Sequence, residues 1–160
     1  MKSTRILTIA AMLLVAVALI AVVGCKTGGM AVTSHGQFFK INVMHPVDLP
    51  EQGEGNVDVV LSSRGVHSVK DLLIDVDVPP TLAVLDETHE RGVTMTHDPG
   101  SSLYHYTLSN LQPAEDSTIR YKVRVSFGSM TDSGPVRVTA WQRDLRGDKL
   151  DETAVIKLKP

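Results

Sequence analysis

The residues of this chain best suited to chemistry are two histidines that flank one short turn. His97 and His105 stand on either side of residues 98–102, so a β-hairpin would bring them near each other. Neutral imidazole is a good zinc ligand, but a protein zinc site needs three or four ligands and two imidazoles leave it incomplete. A metal-dependent hydrolase using His97 and His105 is therefore a remote alternative. We assign the chain no metal, no cofactor and no catalytic residue.

Other motifs that could carry catalysis are incomplete. His89-Glu90 begins the His-Glu-x-x-His pattern of zinc peptidases, but Val93 occupies the place of the second histidine. Asp75 and Asp77 alternate with apolar residues as they would in a strand, and no ligand-rich loop follows them as in a calcium site. The sequence also contains no Gly-x-Ser-x-Gly nucleophile turn. It therefore predicts a protein that is not an enzyme.

The single cysteine of the chain, Cys25, directly follows an N-terminal apolar stretch. A lone thiol is unusual in an exported domain, where cysteines normally pair as disulfides. The run Val22-Val23-Gly24-Cys25 resembles the lipobox of bacterial lipoproteins, in which the lipidated cysteine follows a small residue. The resemblance implies that residues 1–24 are a cleaved signal peptide and that Cys25 carries the lipid at the start of the mature protein.

The stretch before Cys25 supports export under two interpretations. Lys2 and Arg5 form a short basic end that stays on the cytoplasmic side, and residues 6–23 form an uncharged apolar segment predicted to be a signal helix. That segment also approaches the length of a membrane span, about 17–25 residues, so an uncleaved anchor is the alternative. Both interpretations place everything after Cys25 outside the cytoplasm, in the bacterial cell envelope.

Beyond Cys25 the chain divides into a short linker and one domain. Residues 25–36 are small and polar and predict a flexible tether, and residues 37–160 are long enough for one core. Lipoprotein sorting uses an aspartate after the cysteine for inner-membrane retention; Lys26 stands there, which favours the outer membrane if the host has two membranes. The full chain carries 16 basic and 18 acidic residues without a basic cluster, so no nucleic-acid partner is expected.

From residue 37 onward the sequence predicts strands. Apolar residues alternate with other residues in four segments, which is typical of strands with one buried face; the segments are 56–61, 71–78, 120–127 and 136–141. Five shorter runs lie between turn-forming residues such as Pro79-Pro80; they are 37–44, 82–85, 93–97, 103–108 and 153–158. This pattern predicts an all-β sandwich of about seven to nine antiparallel strands.

Two stretches resemble bacterial immunoglobulin-like repeats. They are Ser62-Ser63-Arg64-Gly65 with Val69–Pro79, and Leu108–Ile119. In the domain-of-unknown-function-eleven and cell-adhesion-related group of surface proteins, the first is a turn leading into a strand that closes on proline. The second is a corner that introduces the long strand F. The resemblance covers about Gly55 to Lys157, implies an immunoglobulin-like β-sandwich and carries no catalytic residue.

The resemblance also predicts a charge ladder, because strands C and F of an immunoglobulin sandwich are neighbours in one sheet. The outward residues of the first would be Asp71, Asp75 and Asp77, and those of the second Arg120, Lys122 and Arg124. An acidic row beside a basic row would fix the register of the two strands more than it would stabilise them. A charged face that docks a partner is the alternative.

Trp141 is the strongest candidate for a binding surface. The alternation over residues 136–140 points it outward, on the same side as Arg137, Thr139 and Arg143. Tryptophan and arginine are the residues most enriched in binding hot spots, so we predict an Arg–Trp patch beside strand F. In the alternative, residues 145–150 cover the tryptophan or a bulge turns it into the core.

These features predict a lipid-anchored, non-catalytic envelope module that presents an immunoglobulin-like domain to an envelope protein or glycan. The alternative is a periplasmic or surface assembly factor that acts by adding a β-strand at an exposed sheet edge. The membrane would be contacted through the lipid on Cys25. The oligomeric state stays open.

Overall fold

The computed structural model describes residues 29–129 and 131–159, which form two β-sheets packed face to face. The strands are β1 (Gly29–His35), β2 (Phe39–Pro46), β3 (Asp48–Pro50), β4 (Glu54–Ser63), β5 (Val69–Asp77), β6 (Leu82–His89), β7 (Val93–His97), β8 (Leu103–Leu111), β9 (Asp116–Val125), β10 (Ser133–Gln142) and β11 (Leu145–Lys159). The first sheet has the order β1-β2-β4-β9-β6 and the second β3-β11-β10-β5-β8-β7. Neighbouring strands are antiparallel except for β3, which pairs parallel to β11.

The strand neighbourhood is that of an immunoglobulin sandwich. In the first sheet, the positions of immunoglobulin strands A, B, E and D are taken by β2, β4, β9 and β6. In the second sheet, the positions of strands G, F and C are taken by β11, β10 and β5. Strands β8 and β7 extend the second sheet beyond β5, on the side where variable-type domains add strands. The predicted all-β, immunoglobulin-like architecture is confirmed at this level.

The predicted number of strands, seven to nine, was too low. The nine predicted segments fall in β2 and in β4–β11, and the structure adds β1 and β3. Strand β3 is three residues long, too short for an alternation to show. Strand β1 has no fully buried residue, so its sequence lacks the contrast between an inner and an outer face.

Strand β1 also shortens the predicted tether. Residues 29–35, part of the expected 25–36 tether, pair with β2 without interruption from Gly29–Pro46 to His35–Lys40. This part of the chain is therefore a strand and not a flexible linker. Cys25, the lipobox residues 22–24 and the predicted signal helix lie outside the described residues. Within the described part of the chain, no helix has the length and apolar character of a membrane span.

The core lies between the sheets and is filled by alternate side chains from each strand. In β5, Leu72, Ile74 and Val76 are fully buried, and in β9 Ile119 and Tyr121 are. A slip of one residue would turn such a set to solvent and bring the outward charges into the core, so burial fixes the register. The alternation predicted from the sequence is confirmed in both strands.

A proline corner between β8 and β9 moves the chain from one sheet to the other. The N–H of Glu115 donates to the carbonyl of Gln112 at 3.1 Å, and the N–H of Gln112 donates to the Glu115 carboxylate at 2.9 Å. Ala114 closes the turn with a φ of 59°. Because β8 belongs to the second sheet and β9 to the first, the strand predicted to be F stands in position E. Strand β10 takes position F.

Two buried tyrosines join the sheets across the core. The hydroxyl of Tyr121 on β9 donates to the hydroxyl of Tyr106 on β8 at 2.6 Å, and the rings meet edge to face with centroids 6.4 Å apart. Burial raises the pKa of both phenols, and the negative charge of Glu87 adds to this effect. Glu87 in turn lies 3.0 Å from Nδ1 of His89. The pair therefore belongs to a polar network inside the sandwich.

We expect the tyrosine pair to destabilise the fold at alkaline pH. The folded protein keeps the proton of Tyr121 whereas the unfolded chain loses it above about pH 10, so above that pH the folded state binds more protons and its stability falls as pH rises. The contribution of Tyr121 is about 1.4 kcal/mol of unfolding free energy per pH unit. Urea unfolding between about pH 9 and pH 12 measures it against Tyr121→Phe, which should lose stability less steeply. Parallel pH curves for the two proteins would contradict this expectation.

Candidate functional site

The two histidines of the possible metal site lie on opposite faces of the second sheet. His97 stacks on Tyr104, with ring centroids 4.0 Å apart, on the inner side. His105 points outward, with Nδ1 2.7 Å from a carboxylate oxygen of Asp75. They therefore cannot share an ion, and no group of three or more metal-ligating side chains occurs among the described residues. The metal-dependent hydrolase required His97 and His105 to lie together, and they do not.

The predicted charge ladder between β5 and β9 does not form. Its acidic residues lie on the outer face of the second sheet and its basic residues on the outer face of the first; they are Asp71, Asp75, Asp77 and Arg120, Lys122, Arg124. The neighbours of β5 are β8 and β10, and those of β9 are β4 and β6. The prediction failed because the corner before β9 changes sheets.

The basic row of β9 pairs instead with acidic residues of β4. Arg120 lies opposite Asp58 and donates from Nε and Nη2 to its two carboxylate oxygens at 2.7 and 2.8 Å. Lys122 reaches the Glu54 carboxylate at 2.7 Å and lowers the pKa of that group. A ladder therefore exists on the first sheet between different strands. Its pairs are exposed, so they fix register more than they add stability.

The acidic residues of β5 have partners of their own. Asp75 lies between His105 of β8 and Thr139 of β10 in the cross-strand register. Thr139 donates its hydroxyl to Asp151 of β11 at 2.7 Å. Asp77 lies opposite Arg137, and the carbonyl of Asp71 accepts from the N–H of Arg143 at 3.0 Å. The row is thus polar and mixed in charge.

Trp141 lies on the outer face of the second sheet and is half-buried. It stands opposite Leu73 of β5, and Nζ of Lys149 lies 5.8 Å from its ring centroid. This distance allows a cation–π contact. The predicted outward direction is confirmed. Lys149 belongs to the segment 145–150, so part of the alternative also holds: that segment covers one side of the ring.

The predicted Arg–Trp patch beside the basic strand is wrong. Arg137 shares the outer face with Trp141 but lies four residues away along the strand, opposite Asp77. Arg143 lies beyond the end of β10. The basic row of β9 is on the other sheet. The residues around the tryptophan are therefore Leu73, Lys149 and the cross-strand row of polar residues formed by Asp75, His105, Thr139 and Asp151. We call this surface the Trp141 face.

Sequence reasoning missed Lys149 and Asp151 as members of the Trp141 face. Both depend on the pairing of β10 with β11, in which the register shifts between Ala140 and Gln142. A signal was present, since only two residues separate Gln142 from Leu145 and so short a link predicts a hairpin. The shift itself has no local signature in the sequence.

The edges of the sheets differ in how open they are to further pairing. Strand β1 is an edge with an uninterrupted register, and it contains no proline and no acidic, lysine or arginine residue. Strand β6 is interrupted by a bulge between Val84 and Asp86, and the acidic Glu87 points into the sandwich. Strands β3 and β7 are three and five residues long. Bulges, inward charges and short length protect edges, so β1 is the edge best suited to an added strand.

Comparison with solved structures agrees with this fold. The RrgA Jo.In complex matches with a TM-score of 0.57 and 12% identity over 72% of this chain and 78% of that one. A cohesin module from a Clostridium perfringens family 33 glycoside hydrolase matches with a TM-score of 0.54 and 6% identity over 82% and 98%. BcpA, the major pilin subunit of Bacillus cereus, matches with a TM-score of 0.52 and 10% identity over 71% and 37%.

At these identities the likeness shows the fold alone. What this chain shares with the three proteins is the packing of its two sheets. No protein-family model and no curated protein matches the sequence. The resemblance to the domain-of-unknown-function-eleven group therefore stays a prediction.

Proposed function

We propose that this protein is a non-catalytic module of the bacterial cell envelope, anchored by lipid at Cys25, that binds an envelope protein or glycan through the Trp141 face. The observation that carries the proposal is the half-exposed indole at the centre of that face. Trp141 has an apolar neighbour in Leu73 and a cation, Lys149, beside its ring. Aromatic centres of this kind dominate binding energy in interfaces.

The surroundings of the indole suit a binding surface. Hydrogen-bonding groups of Asp75, His105, Thr139 and Asp151 lie in one row beside it. An apolar centre with a polar rim is the usual anatomy of a protein interface, and an aromatic ring flanked by carboxylates and hydroxyls also suits a sugar. The acidic members of the row favour a partner that offers hydroxyl or cationic groups.

The proposed location of the module in the cell envelope is supported by the N-terminal segment. A diacylated or triacylated cysteine gives stable anchoring, because each buried methylene contributes about 0.8 kcal/mol. Lys26 favours the outer membrane in a host with two membranes. The proposed partner is thus another component of the envelope and not a soluble cytoplasmic protein.

Strand addition at β1 is the second candidate function. It is favoured by the uncharged, uninterrupted edge of residues 29–35. A partner strand could extend the first sheet there with main-chain hydrogen bonds. This function would use the edge of the sandwich and leave the Trp141 face free.

Photo-crosslinking in cells separates these functions. A photoreactive phenylalanine analogue at Trp141 or at Asp75 is expected to capture one envelope partner, and the same analogue at Thr118, on the outer face of the first sheet, is expected to capture none. Capture from Thr33 of β1 alone would favour strand addition. Capture from Thr118 alone would contradict both functions. Mass spectrometry of the crosslinked species identifies the partner.

A further inference from the structure

One end of the sandwich lies close to the anchor, and the register of the first sheet shows which end it is. Gly29 lies opposite Pro46, and Asn56 lies opposite Lys122. These residues line one shallow cleft, so Gly29 is level with Lys122 across the sheet. Strand β9 runs antiparallel to β1, and beyond Lys122 it continues towards the side from which the chain enters Gly29. We call this side the Gly29 end.

The most exposed large apolar side chain of the described residues stands at the Gly29 end. Phe127 follows β9 by two residues and is 88% exposed. The N–H of Ser129 donates to the carbonyl of Ser126 at 3.2 Å, and Gly128 has a φ of 74°. This is the geometry of a turn with a left-handed third residue, which glycine adopts without strain. Phe127 is therefore at the tip of a tight turn.

The turn is held against the rest of the domain. The hydroxyl of Ser126 donates to the carbonyl of Pro80 at 2.7 Å, and its N–H donates to the carbonyl of Thr81 at 2.9 Å. Both acceptors lie in the connection between β5 and β6. The aromatic ring is thus displayed outward by a fixed support.

The reach of the anchor matches the height of this turn. Four peptide units join Cys25 to Gly29, so by any path the two Cα atoms lie within about 14 Å of each other. Strand β9 rises about 3.3 Å per residue, which places the turn of Phe127 about 10–15 Å beyond the level of Gly29. When Cys25 lies at a bilayer surface, the Phe127 turn is therefore close enough to contact the same surface.

We infer that Phe127 contacts the membrane that carries the anchor and inserts its ring into the interfacial layer. The inference rests on the proposed anchoring at the Gly29 end, and it holds for a lipid on Cys25 and for an uncleaved span over residues 6–23. Apolar and aromatic side chains settle in this layer. The sandwich then stands with its strands directed away from the bilayer.

The charges at the Gly29 end indicate an apolar contact and not an electrostatic one. Arg124, Lys157 and Lys159 are exposed there, and Lys159 forms an ion pair with Asp48. Further acidic residues lie in the neighbouring loops at Glu51, Asp98 and Asp132. This balance gives no attraction to anionic lipids. Insertion of Phe127 is therefore expected in bilayers of zwitterionic phosphatidylcholine, with little dependence on salt.

The same orientation places the Trp141 face away from the bilayer. Trp141 lies near the end of β10, which runs from Ser133 at the Gly29 end towards the opposite end. The loop between β4 and β5 is at that opposite end and exposes Val66 by 83%. The Gly29 end of the sandwich therefore contacts the membrane and the opposite end is free. The free end carries the Trp141 face, which is proposed to bind a partner.

Tryptophan fluorescence of the full-length chain in vesicles tests the inference. In a Trp141→Phe background, Phe127→Trp and Val66→Trp each provide a single reporter at a highly exposed position, one at each end. The proteins are purified from membranes and reconstituted in phosphatidylcholine with brominated acyl chains, which quench a tryptophan they touch. We expect at least about twofold quenching and a blue-shifted emission for Phe127→Trp, and no quenching for Val66→Trp.

Equal quenching of both reporters, or none of either, would overturn the inference. Circular dichroism checks that each variant keeps the β fold, which the high exposure of both positions favours. The outcome is separable from the lipid assignment, because an uncleaved span also holds the chain in the vesicle. If fatty-acid labelling were absent while the Phe127→Trp reporter was still quenched, the lipid on Cys25 would be ruled out and the membrane contact of Phe127 would stand.

Discussion

Replacement of Cys25 by serine is expected to abolish fatty-acid labelling of the protein and to move it from the membrane to the soluble fraction or to leave it unprocessed. A thiol is required for the thioether bond that the lipobox resemblance implies, and a hydroxyl does not replace it. One acyl chain gives marginal binding, whereas several chains at about 0.8 kcal/mol per methylene hold a protein in the bilayer. The expected effect is therefore a complete loss of labelling.

Metabolic labelling with a fatty-acid analogue, followed by fractionation, measures this effect. Thr27→Ser is the matched control, since it changes a hydroxyl residue near the cysteine and should leave labelling unchanged. Equal labelling of wild type and Cys25→Ser would end the lipoprotein interpretation. A Cys25→Ser protein that stays in the membrane, beside a wild type without label, would support the uncleaved anchor over residues 6–23.

Truncation of Tyr121 is expected to cause the largest loss of stability among single changes in the core. Its ring is fully buried between the sheets, so Tyr121→Ala removes packing and leaves a cavity, at about 3–5 kcal/mol of unfolding free energy. Tyr121→Phe keeps the ring and removes only the donor to Tyr106, at about 1–2 kcal/mol. Urea unfolding of the domain measures both values.

The exposed ring of Phe127 supplies the control for this comparison. Phe127→Ala removes an aromatic ring of similar size from a position that is 88% exposed, so its effect is expected within about 0.5 kcal/mol. If Tyr121→Ala cost no more than Tyr121→Phe, the ring would contribute little and the packing described for the core would be incorrect.

The strands could be predicted from the sequence because each buries one face. Over residues 72–77 of β5 and 118–125 of β9 the inner residues are apolar and the outer ones mostly charged or polar, so a period of two is visible there. Strand β1 escaped this reasoning since it has no fully buried residue. Its role as an open edge, and the shortening of the tether, appeared only in the folded chain.

The partners of the charged rows could not be predicted in the same way. Arg120 and Asp58 are 62 residues apart in the chain, and Asp75 and His105 are 30 apart. Which strands meet depends on whether the corner at residues 112–115 keeps the chain in its sheet or moves it across. An alternating strand is equally satisfied in either sheet, so its own residues do not decide the question.

The sequence by itself determined the all-β class, the positions of nine strands, the inward and outward faces of four of them and the outward direction of Trp141. Each of these is a local property, set by the spacing of apolar residues or by one strand's own alternation. The tertiary structure alone decided that Arg120 meets Asp58, that His97 and His105 face apart, and that Phe127 shares an end with Gly29. These arrangements depend on contacts between distant segments of the chain. Because the free energy of those contacts is distributed over the whole core, no short stretch of sequence predicts them.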